Sequence, residues 1–288
     1  MKRFIISACI LLISSIAFTF DWPQEKVVQS DQFYSYFGQL RGETISNSLI
    51  FSEISDVKAA DDGYLTVIIS EYSDHTDFFP STLGNAVILS HTDNLLTVYG
   101  NIDSESILKE AFNENSIKCG ETFGTSGNSA WQQGHSSLEF QVIDTKNNTS
   151  INPRLLMPRV GKELPLYYNE IYLQGKNGRQ YNVTNQNILP SGIYKVYKKR
   201  QAVAVPYRTR VAINGTVVDQ ISYDLLRQDD NQICVSGRKN YSKSILYPNN
   251  DLQLLGEATL TPGKNALQLT ITDILGKEVN ATYLLTIH

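Results

Sequence analysis

Hydrolysis at a carbonyl needs either a nucleophile beside a base or a metal held by three side chains with one position left open for water. The sequence is sparing with residues for either. It holds 4 histidines in 288 residues. Three of them stand near a carboxylate: His75 with Asp77, His91 with Asp93, and His135 with Glu139. If the last group lies on a strand, His135, Ser137 and Glu139 share one face, because strand side chains alternate with period two. The plain reading of each histidine is an unrelated surface residue. The run from Gly120 to Gly127 is rich in Gly, Ser and Thr. It lacks the lysine and the strand-to-helix setting of a phosphate loop, so a turn is expected there. Trp131 sits in the polar stretch Ala130-Trp131-Gln132-Gln133, where it either stacks on a ligand or packs over a neighbouring strand.

The elements that would position these residues are strands. Runs of β-branched and aromatic residues broken by Gly, Asn and Asp predict strands over 63–69, 85–89, 95–99 and 137–142. One short helix is expected over 104–113, with Ser104 as its cap and Ile107, Leu108, Ala111 and Phe112 on one face. Further along, the same pattern predicts strands over 170–173, 192–197, 208–213, 216–218, 266–273 and 281–287. Asn214-Gly215 between two of these runs is a hairpin signal, because both turn residues must take positive φ. The segment from Pro158 to Pro165 reads as a linker.

Composition narrows the class. The chain has 41% hydrophobic and 19% charged residues, with 16 Tyr and 2 Met, which suits a folded, strand-rich globule. A formal charge of -4 without a Lys/Arg cluster excludes the electrostatic footprint of nucleic-acid binding. Met1-Lys2-Arg3 precedes an apolar run over 4–16 and the small-x-small pattern Ser15-Ile16-Ala17, which predicts a signal peptide over 1–17, an uncleaved anchor being the alternative. Cleavage implies a mature chain without an integral membrane span, exported across the inner membrane to the periplasm or cell envelope. Cys119 and Cys234 then remain, and their spacing indicates no disulfide.

Five blocks in order carry a family resemblance. They are Val57-Lys58-Ala59-Ala60-Asp61-Asp62-Gly63; Val87-Ile88-Leu89-Ser90-His91; Leu96-Thr97-Val98-Tyr99-Gly100-Asn101; Gly120-Glu121-Thr122-Phe123-Gly124-Thr125-Ser126-Gly127; and Leu138-Glu139-Phe140-Gln141-Val142, closing with Ile151-Asn152-Pro153. Over 44–158 the sequence resembles the lysostaphin-type (LytM-domain) zinc endopeptidases. The resemblance implies a compact β-sheet domain with one zinc ion in a shallow groove, cutting peptide cross-links of bacterial cell walls. It also implies ligands at a His-x3-Asp pair and at the second His of a His-x-His pair. The first His of that pair and the His of a Tyr-x-His segment would be the catalytic groups.

Carried onto this sequence, the ligand positions fall on Thr44, Ser48 and Glu139, and the catalytic positions on Asn101 and Ser137. Only Glu139 can bind a metal, and neutral hydroxyls are poor zinc ligands beside imidazole. No His occurs between Asp21 and Asp62. His91 has a family parallel as a non-ligand, so it is expected to serve local hydrogen bonding. The expected architecture is mainly β: a degenerate LytM-type domain over 18–160, then an immunoglobulin-like β-sandwich over 161–288. The expected function is that of a pseudopeptidase without cofactor, whose groove binds peptidoglycan or a cell-wall hydrolase. Groove candidates are Tyr99, Asn101, Trp131 and His135, together with Ser137, Glu139 and Gln141. Two alternatives stand beside it: an active zinc endopeptidase with unconventional ligands such as His135 and Glu139, and a purely structural envelope sandwich protein.

Overall fold

The computed structural model describes residues 20–24, 30–70, 81–112, 114–130, 137–159, 161–201 and 204–288. The expected signal peptide, His75, Asp77, Trp131 and His135 lie outside the described residues. Among the described residues no helix is long and apolar enough to cross a membrane.

The protein is mainly β. Its first half carries β1 (Phe33–Ser35), β2 (Leu40–Arg41), β3 (Thr44–Ile45), β4 (Leu49–Phe51), β5 (Asp56–Lys58) and β6 (Gly63–Ile69), followed by β7 (Ala86–Ser90), β8 (Leu95–Gly100), β9 (Ser116–Ile117), β10 (Thr122–Thr125), β11 (Glu139–Asp144) and β12 (Thr149–Ile151). The second half carries β13 (Ile171–Gly175), β14 (Gln180–Asn182), β15 (Ile188–Leu189), β16 (Gly192–Lys199), β17 (Arg208–Ile213) and β18 (Thr216–Asp229). It ends with β19 (Gln232–Ser236), β20 (Asn240–Ser242), β21 (Leu252–Leu260), β22 (Gly263–Thr272) and β23 (Glu278–Ile287).

In the first half, β6, β7, β8 and β11 form an antiparallel meander with β4 beside β11. Their inward residues Val87, Leu89, Tyr99, Phe140 and Val142 join Leu49, Phe51, Val57 and Phe123 in one core. Burying each of these large side chains contributes about 1.5–3 kcal/mol. In the second half, β14-β13-β16-β21 form one sheet, and β17, β22 and β23 belong to another. The two sheets face each other across Ile171, Leu173 and Val196 on one side and Val211, Leu269 and Ile271 on the other, a sandwich arrangement. The Asn214-Gly215 turn has φ of 52° and 85°, as the hairpin signal requires. The second core is not purely apolar. Lys198 follows Tyr194 and Val196 on the inward face of β16 and is fully buried, its Nζ donating to Gln201 Oε1 at 3.3 Å. Burial pushes its pKa down to about 8.

Two features depart from expectation. Among the described residues of 104–113 there is no α-helix; two 3-10 turns, Ser104–Ser106 and Lys109–Ala111, stand there instead. Asp103 rather than Ser104 caps the first turn by accepting from Glu105 N at 3.1 Å. Ile107 and Leu108 are extended, and the Leu108 amide bonds Phe123 O at 2.9 Å. Pairing to β10 overrides the helical periodicity.

The second departure is that the halves are joined by more than the 158–165 segment. Strand β12 pairs on one side with β11 and on the other with β18, with Thr149, Ser150 and Ile151 opposite Arg227, Leu226 and Leu225. One sheet therefore continues from one half into the other. Within the expected linker, Glu163 forms a buried ion pair with Arg154, whose guanidinium lies over the rings of Phe33 and Tyr36. The hairpin β2–β3 also belongs to both halves. Phe37, just before it, and Ile45 of β3 bury in a cluster with Tyr197, Tyr223, Tyr241 and Tyr247 of the second half.

Candidate functional site

Glu139 lies on β11 between Ile50 of β4 and Gly100 of β8, so its backbone is paired on both sides. Its side chain is only 3% exposed. An ionised carboxylate in such a place costs several kcal/mol unless it is paired and hydrogen-bonded. The partner is Arg41 on the β2–β3 hairpin. Arg41 Nη1 donates to Glu139 Oε1 at 2.7 Å and Nη2 to Oε2 at 3.0 Å, the fork geometry in which guanidinium and carboxylate bind most strongly. Gln141 Nε2 donates to Glu139 Oε1 at 3.3 Å, and Asn47 Nδ2 to Gln141 Oε1 at 3.3 Å.

The other expected positions gather around the same point. Thr44 is exposed and sits across the hairpin from Arg41. Ser48 is fully buried, with its Oγ 3.5 Å from Arg41 Nη1 and 3.2 Å from Ser46 Oγ. Asn101 has φ of 62° and is buried. Its Nδ2 donates to Ser137 O at 2.7 Å, and its Oδ1 accepts from Ser129 N and Ala130 N, both at 2.8 Å. Both polar atoms of Asn101 hold main chain, and Ser137 is buried beside it.

A cleft of about 860 Å³ opens next to these residues. Glu139, Gln141, Arg41, Thr44 and Asn47 line it, with Tyr34 and Leu83 adding apolar surface and Ile233 of β19 closing it from the second half. Glu139 and Gln141 thus border the expected groove. Tyr99 does not: it is fully buried, its Oη accepts from Ala60 N at 2.8 Å, and its ring packs on Phe123 and Phe140. It is a core residue whose pKa is driven upward chiefly by burial, which corrects its assignment to the groove. The pleat decides this, since Tyr99 precedes the bend at Asn101 on the inward face of β8. His91 bonds locally, with Nδ1 2.9 Å from Asp62 O and Nε2 2.7 Å from Thr97 Oγ1.

Sequence reasoning missed Arg41. Its one signal, a cation three residues before a position where the family carries histidine, has no meaning until the hairpin folds and turns it toward β11.

The comparisons with known proteins follow this geometry. The family model described as peptidase family M23 matches residues 48–153, the segment that carries Ser48, Asn101, Ser137 and Glu139. The chain belongs to peptidase family M23. A separate family model matches residues 165–288. An uncharacterized protein of Treponema pallidum (strain Nichols) is 30% identical over 119 residues, 38% of this chain and 78% of that protein. Among solved structures, a zinc-containing peptidase from Vibrio cholerae is 18% identical with a TM-score of 0.37, covering 49% of this chain and 40% of that one. The chain therefore spans less than half the length of that peptidase. A structure of the SpoIIQ–SpoIIIAH pore-forming complex is 18% identical with a TM-score of 0.37, covering 50% of this chain and 94% of that one.

Membership in M23 implies a zinc ion, and the donor set here does not fit one. Thr44 and Ser48 offer neutral hydroxyls, and both oxygens of Glu139 are held by Arg41. Among the described residues, no three His, Cys, Asp or Glu side chains form a group able to hold a metal. A catalytic zinc site needs three strong ligands and an open position, and no reaction step through a metal follows from these residues.

Proposed function

We propose that this M23 member is a non-catalytic envelope protein, a pseudopeptidase, exported across the inner membrane, whose cleft holds a peptide of the bacterial wall or a partner wall hydrolase. One observation carries the reading. An open cleft persists at the family site while the catalytic positions are committed to structure, with Asn101 holding three main-chain groups. A general base must reach its substrate's proton, and Asn101 and Ser137 provide none. Beside the Arg41–Glu139 ion pair, the cleft offers neutral groups: the amides of Asn47 and Gln141, hydroxyls, and apolar surface from Tyr34, Leu83 and Ile233. Such a lining complements a peptide backbone with small apolar side chains.

The test uses the purified full chain on isolated sacculi. The expected result is retention at moderate salt, weakened by Tyr34→Ala and Asn47→Ala, with no release of wall peptides. Stoichiometric zinc accompanied by released peptides would establish the active endopeptidase instead. Failure to hold sacculi, combined with failure to change the rate of purified wall hydrolases, would remove the reading and leave a structural envelope protein.

A further inference from the structure

We infer that the guanidinium of Arg41 stands in the place of the family's metal ion, as a tethered cation that keeps the site assembled without zinc. Of the three positions that correspond to ligands, two contact it and the third is its neighbour across the hairpin. Glu139 binds it through two hydrogen bonds of 2.7 and 3.0 Å, Ser48 Oγ lies 3.5 Å from Nη1, and Thr44 is its cross-strand partner and lines the same cleft. The hydrogen-bond chain from Asn47 through Gln141 to Glu139 orients the carboxylate toward Arg41, as outer partners orient metal ligands elsewhere.

A guanidinium replaces only part of what a metal does. It neutralises the buried carboxylate and holds it in one rotamer. It has donors but no vacant orbital and no acceptor, so it can hydrogen-bond a water but cannot coordinate one and lower its pKa as zinc does. The exchange thus keeps the architecture of the site and removes its chemistry.

The hairpin that carries the cation is braced by the second half of the chain. The hairpin that carries Arg41 is anchored through Phe37 and Ile45 in the second-half tyrosine cluster. Gly38, at φ 82°, rests against the Tyr223 ring, and its carbonyl accepts from Tyr247 Oη at 2.7 Å. At the hairpin tip, Glu43 pairs with Lys243 Nζ at 2.8 Å. Arg41 thus stands on a hairpin held against the second half and Glu139 on the first-half sheet, and their ion pair ties the two together.

Two measurements test the inference. In the first, thermal unfolding is compared for the wild type, Arg41→Ala, Glu139→Gln and the double variant. Arg41→Ala is expected to lower Tm by roughly 10 °C, because it removes the bidentate cation from a buried carboxylate. Adding Glu139→Gln is expected to recover most of that loss. Equal Tm values for Arg41→Ala and the double variant would overturn the inference. In the second, three ligands are restored by Thr44→His, Ser48→Asp and Glu139→His, and zinc affinity is measured by titration with and without Arg41→Ala. If the guanidinium occupies the metal's place, removing it raises zinc affinity at least about 100-fold, a coupling of about 2.7 kcal/mol. Equal affinity with Arg41 retained, or stoichiometric zinc in the wild-type chain, would overturn it.

Discussion

Gly38 gives the sharpest measure of how firmly the second half grips the site. Its φ of 82° lies in the left-handed region, and an added Cβ would come within 2.4 Å of Tyr223 Cδ1. The conformational part of a Gly38→Ala change costs roughly 1–2 kcal/mol. The contact adds a further cost, because Tyr223 cannot yield. It is 1% exposed, its Oη accepts from Gln253 Nε2 at 3.0 Å, and its carbonyl accepts from Asn152 Nδ2 at 3.1 Å. Forcing a methyl group into such packing costs about 1–3 kcal/mol, for a total near 2–5 kcal/mol. Gly42, in the same hairpin at φ 57°, has nothing within 4 Å of its would-be Cβ. Gly42→Ala therefore shows the conformational part alone. Equilibrium urea unfolding of both variants, read from midpoints at constant slope, should separate them by about 1–3 kcal/mol. The same Gly38→Ala change in a Tyr223→Leu background should fall back to the smaller value. Equal losses for Gly38→Ala and Gly42→Ala in the wild-type background would refute the claim that the hairpin rests on Tyr223.

Three further outcomes can be checked. Asn101→Ala removes one donated and two accepted main-chain bonds at a residue with φ 62° and should cost about 2–4 kcal/mol by urea unfolding; Asn101→Gly, which eases the left-handed backbone, should recover about 1–2 kcal/mol of it. Lys198 has a folded-state pKa of about 8, below the unfolded value near 10.4. The unfolded chain therefore binds more protons between the two values, and this residue makes stability rise with pH across about 8–10. In Lys198→Met that slope should vanish and stability at pH 7 should gain up to roughly 3 kcal/mol, seen as the difference from wild type in urea midpoints at several pH values. Cys119 is exposed, yet its pKa is raised to about 11 by partial burial and by Asp21, whose Oδ2 lies 3.5 Å from Sγ. Alkylation at pH 8 should run roughly two orders of magnitude slower than for an ordinary thiol and quicken in Asp21→Asn.

Much of the first-half sheet is legible in the sequence, because period-two alternation and β-branched runs report strands directly. The blocks around Val57, Tyr99 and Phe140 fix their order. The 104–113 segment misleads because its apolar spacing fits a helix, while the Leu108 amide is claimed by Phe123 O, a partner far along the chain. Strand β18 shows the same limit: alternation reveals its start at 216–218, but its fourteen residues include a stretch that becomes a strand by pairing with β12 and β19. For the site, the spacing identifies which residues replace the family's ligands, and it marks Glu139 as the lone carboxylate. What holds that carboxylate is 98 residues away in sequence, on a two-strand hairpin with no periodic signal. Tyr99 reads as a groove residue because its neighbour two positions on carries the family's catalytic place, and only the pleat turns it inward.

The ladder shared by β12 and β18 also bears on how the protein can be made. Residues 149–151 form the boundary course of the first-half sheet, and their outward amides and carbonyls are satisfied by 225–227. A fragment ending near 158 would present that course bare, beside the uncovered side chains of Phe37 and Ile45. Unpaired strand margins with apolar flanks recruit other copies, so such a fragment should precipitate or form oligomers when expressed alone. Nor does a cut at 158–165 release two independent pieces, because Arg154 on one side and Glu163 on the other would each lose a buried counter-ion.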